Sequence, residues 1–198
     1  MPASDLPLLT FPDAKAFEAW LADQAATSAG AWLKFAKAGA PEATLSKTDA
    51  VDSALAYGWI DGRLGRIDEH YFKIRFTPRK ARSAWSQLNR ERVERLISLG
   101  RMTARGLAEV ERAKADGRWD SAYAPQGRAT PDADLLDALN AQPEARAFFD
   151  SLDAANRYAV IYRVQRAGGP EKRARKIAEL VARLAAGRAF HPPRDRTG

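Results

Sequence analysis

Residues 58–89, GWIDGRLGRIDEHYFKIRFTPRKARSAWSQLN, decide how the rest of the chain is read. Over 59–67 and 71–77 the hydropathy period is two, and Asp68-Glu69-His70 stands between, which predicts a β-hairpin. In the second strand Phe72, Ile74 and Phe76 share one face while Tyr71, Lys73, Arg75 and Thr77 share the other, so one face is core and the other is aromatic and basic. In the first strand Trp59, Asp61 and Arg63 lie opposite Ile60 and Leu64, and Gly62 and Gly65 mark a bulge or a close backbone approach. Pro78-Arg79 stops the sheet. Ser83 or Ser86 caps the next helix, which Gly100 closes; Trp85, Leu88, Val93, Leu96 and Leu99 form its buried stripe, with Asn89 at the margin.

Working outward, the chain before the hairpin predicts a helix over 11–26 with Pro12 at its first position and Phe17, Trp20 and Leu21 inward. A short strand follows over 31–36, where Trp32 and Lys34 alternate with Leu33 and Phe35. A second helix starts at Ser46 or Thr48, carries Asp49 and Asp52 in its first turn, and ends at Gly58. After the hairpin and its helix, Thr103 opens another helix to Ala115, with Leu107 and Val110 inward. Residues 121–130 read as a linker. Beyond it the pattern predicts three helices. One runs over 132–140. A longer one opens at Pro143, with Phe148, Leu152, Ala155, Ala159 and Tyr162 in its stripe, and the last runs over 171–186 with Ile177, Leu180, Val181 and Leu184 inward. The expected fold class is α+β: a small antiparallel sheet with packed helices in residues 1–120, the linker, a three-helix C-terminal subdomain over 131–188, and a tail over 189–198 that has little to fold it.

A chain of 198 residues builds a core without covalent staples. It has no cysteine, which excludes disulfides, thiolate metal sites and cysteine nucleophiles. The two histidines, His70 in the turn and His191 in the tail, are poorly placed for a transition-metal site, so no metal is expected. There is no glycine-rich phosphate loop, and no cofactor is expected. No apolar run approaches the roughly 18 residues of a membrane span, and the N-terminus has neither a basic leader nor an apolar core. The expectation is a cytoplasmic protein. The net charge of +7 is unevenly spread: residues 59–105 carry 12 Lys and Arg against 5 Asp and Glu, and residues 106–156 carry 5 against 10. Such blocks either concentrate an anionic partner or face their acidic neighbours.

Three site readings follow from the central stretch. In the first, Arg79 and Arg82 meet the start of the helix near Trp85, with Trp59, Trp85 and Asn89 as walls of an anion pocket and Asp61 nearby. Its partner is an anionic small molecule or an acidic protein surface; the alternative is that these residues lock hairpin to helix. In the second, Tyr71, Lys73, Arg75 and Lys80 form a strand platform for nucleic acid, joined by the basic face of the last helix. In the third, Asp61 serves an enzyme; its alternative is a structural pair with Arg63, Arg79 or the capping groups near Ser83, and neither His70 nor His191 is positioned as its acid–base partner. Ser83 and Ser86 lack a nucleophile elbow and read as caps. No catalytic residue is assigned, and nothing in the pattern sets an oligomeric state.

The motifs Gly58-Trp59-Ile60-Asp61-Gly62, Phe76-Thr77-Pro78-Arg79 and Ser83-Ala84-Trp85-Ser86 with Asn89 resemble the bacterial YdeI/OmpD-associated family, labelled bacteriocin-protection proteins. The resemblance continues through Arg92 to Ile97, Gly100 to Thr103, Gly106-Leu107 and Asp116 to Trp119, and the helices around Phe148-Phe149 and Lys172 to Ile177 look like the family's tail domain. It implies a stress or toxin-tolerance role with no defined reaction.

Overall fold

The alternation over 59–78 folds as the expected hairpin, and a computed structural model describes residues 6–192 around it. Strand β3 is Trp59–Arg66 and β4 is Tyr71–Pro78, paired antiparallel with a register shift between Asp61 and Leu64, where Gly62 had marked a bulge. Strand β2, Ala31–Ala36, pairs antiparallel with β4 on its other side. A two-residue strand β1, Leu8–Leu9, pairs parallel with β2, so the sheet is mixed, in the order β1-β2-β4-β3. Two leucines between prolines carry no period, and this strand forms only because the edge of β2 offers it a partner. The fold class is α+β.

The chain divides into two compact units, one holding residues up to 120 except 86–88, the other holding 86–88 with 121 onward. In the first unit α1 is Ala14–Gln24, shorter than the 11–26 expected. Asp13 rather than Pro12 sets its start, its carboxylate accepting from the Ala16 amide. Phe17 and Trp20 of α1 pack on Phe76 and Trp59, which fixes α1 on the Leu33, Phe35, Ile74 and Phe76 face of the sheet. Helix α2, Lys47–Ala56, is capped by Ser46, and every residue from Ala50 to Ala56 is buried. Small side chains at Ala50, Ser53, Ala54 and Ala56 let neighbours approach it from all sides.

Helix α3 is Gln87–Ser98 and α4 is Ala104–Ala115. Both dock on α2, α3 through Asp52 and α4 through Ala56. Asp52 was expected in the first turn for the helix dipole. It is instead 4% exposed and held by Arg92, 2.7 Å away, and by Arg95. The Ala56 carbonyl accepts from the Thr103 amide at 3.1 Å and the Thr103 hydroxyl at 2.7 Å, and the same hydroxyl caps α4 by accepting from Gly106. Of the expected α3 stripe, Trp85, Val93 and Leu96 are buried, but Leu88 and Leu99 are exposed, as is Leu107 of α4. The helices use a narrower stripe than the leucines suggested because α2 presents only one thin side to each. Ser83 does not cap α3: its hydroxyl accepts from the Lys80 amide inside the turn that precedes the helix.

The second unit has four helices where three were expected: α5 Ala133–Asn140, α6 Pro143–Ser151, α7 Ala154–Gln165 and α8 Pro170–Ala185. The single helix read from Pro143 breaks at Leu152, which is extended, and Asp153 restarts it by accepting from the Asn156 amide. Leu135, Leu139, Phe149, Val160, Ile161, Leu180 and Leu184 fill its core. The expected linker is not featureless: Tyr123 bridges to Ser86, its carbonyl accepts from the Gln87 amide at the start of α3, and Ala124 is bonded to Gln165 and Tyr158.

The tail read as having little to fold it is clasped as far as His191, while 193–198 lie outside the described residues. The buried Asn156 accepts from the Phe190 and His191 amides at 2.9 Å each and donates to the His191 carbonyl. Phe190 lies between the guanidinium groups of Arg163 and Arg183. Asn156→Ala strands two amides and is expected to destabilise the unit by about 2 kcal/mol, seen as a lower Tm and faster proteolysis after Gly187. Unchanged proteolysis would show that the clasp does not hold the segment.

Candidate functional site

One face of the sheet carries α1 through Phe17 and Trp20. Alternation from Trp32 and from Tyr71 populates the opposite face, where Trp32, Lys34, Lys73 and Arg75 are half-buried. Register places Lys34 directly across from Lys73, and Trp32 across from Arg75. The Lys34 ammonium stands 3.6 Å above the Tyr71 ring and the Lys73 ammonium 4.9 Å above Trp32. Tyr71 is buried and pinned, its hydroxyl accepting from the Glu42 amide and donating to the Glu42 carbonyl. Among the described residues Lys34, Lys73 and Arg75 form no ion pair, and the Nε–H of Arg75 is buried without an acceptor. Gly65 lies beside Lys73 and Trp32, and Gly62 under the Arg75 guanidinium, so the platform has no side chain standing at either place.

The residues of the expected anion pocket are placed differently. Trp59 is fully buried, stacks edge-on against Trp20 and donates to the Ala25 carbonyl. Arg79, 6% exposed, lies flat on Trp85 at 3.5 Å and donates to the Ala84 carbonyl. Trp85 in turn meets Trp119 edge-on at 4.9 Å, and Arg90 lies beyond Trp119. Arg118 closes this stack by donating to the Ser83 carbonyl at 2.7 Å while its hydrogen bond to Asp116 holds that carboxyl below its ordinary value. Arg79 and Trp85 thus come together, with Trp59 turned to α1 instead. Asp61 is half-buried opposite Phe76, and among the described residues its carboxylate makes no hydrogen bond or ion pair. Arg82 is exposed and Asn89 half-buried. Lys80 lies past the end of β4, in the turn closed by Ser83, rather than in line with Lys73 and Arg75.

Residues 9–109, just over half of the chain, match the family model described as a domain of unknown function, DUF8412, and residues 128–187 match the model described as "Bacteriocin-protection, YdeI or OmpD-Associated". The chain belongs to the DUF8412 family, and its C-terminal helices match the YdeI/OmpD-associated model. The YdeI/OmpD match therefore falls on the helices, while the Gly58 to Asn89 motifs that carried the expected resemblance fall inside the DUF8412 match. No curated protein and no solved structure matches the chain.

The YdeI/OmpD-associated helices have cavities of their own. One of about 620 Å³ is lined by Phe148, Leu152, Asp153, Asn156, Ala189 and His191, so the clasped tail forms part of its wall. A second, about 370 Å³, has Arg146, Arg157 and Tyr158 at its rim and shares Gln126 and Ala154 with the first. Burial, with Tyr123 and Tyr162 adjoining, raises the Tyr158 hydroxyl above its ordinary value. In α8 Arg173 grips Asp134 at 2.6 Å and pairs with Asp132, which ties the last helix to α5 and lowers the Asp134 carboxyl. No group of three or more acidic or histidine side chains fit for a metal occurs among the described residues, and no helix there is long and apolar enough to cross a membrane.

Sequence reasoning named Tyr71, Lys73 and Arg75 but left Trp32 and Lys34 out of the site. The signal was present, because the alternation over 31–36 gives that strand two unlike faces. What was missing is the register that sets β2 beside β4.

Proposed function

We propose that this protein is a non-catalytic binding protein for an anionic partner, acting in the cytoplasm in the stress or bacteriocin-tolerance setting that the description of the model matched by its C-terminal helices suggests, with the face of its N-terminal sheet opposite α1 as the contact surface. One observation carries the reading: Lys34 and Lys73 stand over the Tyr71 and Trp32 rings from adjacent strands with Arg75 beside them, and among the described residues none of the three has a carboxylate within ion-pair distance. Three cations with only the more distant Asp68 carboxylate acting on Lys34 repel one another, and a bound anion relieves that repulsion. The Gly58 to Asn89 motifs support the surface from behind. Trp59 anchors β3 to α1, and the Arg79–Trp85 stack fixes the chain where it leaves β4; Arg82 adds exposed positive charge. A binding role is favoured over an enzyme because Asp61, the one carboxylate among the Gly58 to Asn89 motifs, has no hydrogen-bonding or charged partner among the described residues.

The test is Lys34→Gln, Lys73→Gln and Arg75→Gln combined, which keeps the stems and removes the charge. Isothermal titration against long-chain polyphosphate is expected to show the affinity falling about 30-fold, with the log–log salt slope shallower by about 2, at roughly 0.7 per contact on a single flexible polyanion. Equal affinity in the triple variant, with unchanged circular dichroism, would sink the proposal.

A further inference from the structure

We infer that the helical unit holds a binding site of its own for a small amphiphile with an apolar body and a single carboxylate, the body in the cavity walled by Phe148, Leu152 and the clasped tail, the carboxylate on Arg157. The site belongs to the second unit and stands independently of the sheet face. At about 620 Å³ this cavity alone falls within the roughly 300–1,000 Å³ of small-molecule sites. Its polar members are engaged by the protein. Asn156 accepts from the Phe190 and His191 amides, the Ser151 hydroxyl donates to the Phe148 carbonyl at 2.7 Å, and the Asp153 carboxylate accepts from the Asn156 amide at 2.8 Å. What is left for a ligand is the apolar side, formed by Phe148, Leu152, Ala154, Ala155 and Ala189.

The second cavity supplies the charge. It adjoins the first at Gln126 and Ala154, and Arg157 and Tyr158 follow Ala154 by three and four residues, on the same face of α7. Arg146 is already neutralised, its Nε donating to Asp150 at 2.8 Å and its Nη1 to Asn140 at 2.7 Å. Tyr158 donates to the Ala124 carbonyl, and burial raises its hydroxyl above its ordinary value, so it adds no negative charge to the rim. Arg157 remains: among the described residues its guanidinium makes no hydrogen bond or ion pair. One free guanidinium matches one carboxylate, two N–H groups to two oxygens. A phosphate monoester, with nearly two charges, would find the second cation occupied. The buried Phe149 and Ile161 floor this cavity, so the ion pair forms over apolar side chains, where water screens it less than on an open surface.

The experiment follows displacement of 8-anilinonaphthalene-1-sulfonate from the full chain by octanoate, 1-octanol, octylammonium and octyl phosphate, and repeats it with Arg157→Gln, an exposed position, and with Ala155→Trp, which fills the first cavity. Octanoate is expected to be the strongest competitor, to weaken about tenfold with Arg157→Gln while 1-octanol is unchanged, and to lose its effect with Ala155→Trp. It should also slow tryptic cleavage after Arg188, beside the tail residues that wall the cavity. The combined Lys34→Gln, Lys73→Gln and Arg75→Gln protein should bind octanoate as wild type does. If 1-octanol competes as well as octanoate and Arg157→Gln changes nothing, or if octyl phosphate competes best, the inference falls. If octanoate binding is lost in the triple variant but kept in Arg157→Gln, the ligand lies on the sheet, and the inference falls while the proposed surface stands.

Discussion

Replacing Arg92 and Arg95 together by alanine is expected to lower the unfolding free energy by about 3–5 kcal/mol. The pair are surface side chains by exposure, 30% and 53%, but the Asp52 carboxylate between them is only 6% exposed. Removing the arginines leaves a buried anion with no compensating charge. Removing Asp52 leaves two cations that turn to water, and Asp52→Ala should cost only about 1–2 kcal/mol. The triple variant, Asp52→Ala with both arginines changed, should therefore be more stable than the double. Urea titrations of the three proteins read this directly. A triple variant no more stable than the double would mean that lost packing, not the stranded charge, explains the effect.

Gly106→Ala is expected to destabilise the same unit by about 3 kcal/mol, far more than a glycine-to-alanine change at an ordinary helical position, where alanine is the better helix former. A Cβ there would press on the Ala56 carbonyl oxygen and stand 2.8 Å from its carbon and 2.9 Å from Met102 Cε. Backbone atoms cannot yield as a flexible side chain does. Moving α4 away would also break the two bonds from Thr103 to that carbonyl. Thr103→Ala, which removes only the hydroxyl, should cost about 1–2 kcal/mol. A Gly106→Ala protein within about 0.5 kcal/mol of wild type in denaturant titration would show that α4 shifts freely on α2.

The hairpin and its bulge were legible because the hydropathy over 59–67 and 71–77 has a period of two, and Gly62 interrupts it where register is lost. The helix break at Leu152 was not, because Phe148, Leu152, Ala155 and Ala159 keep their spacing of three and four across it while the capping Asp153 sits between two of them. Asp52 was misread for a related reason: its position suits a helix dipole, and only the arrival of α3, some forty residues later, reveals its partners. Of the candidate site, the link between Arg79 and Trp85 could be read from their closeness in sequence. That they stack as part of a buried framework depends on Trp119, which no local pattern connects to them.

Helix α2 is buried from Ala50 to Ala56, touched by the sheet, by α1, by α3 through Asp52 and by α4 through Ala56. The sheet closes on α1 through Phe17 and Trp20, but α3 and α4 reach that core through α2. The amides of α2 are therefore expected to be among the last of the unit to exchange with solvent. A ligand on the proposed sheet face, if it binds only the folded state, is expected to slow that exchange in a helix it does not contact.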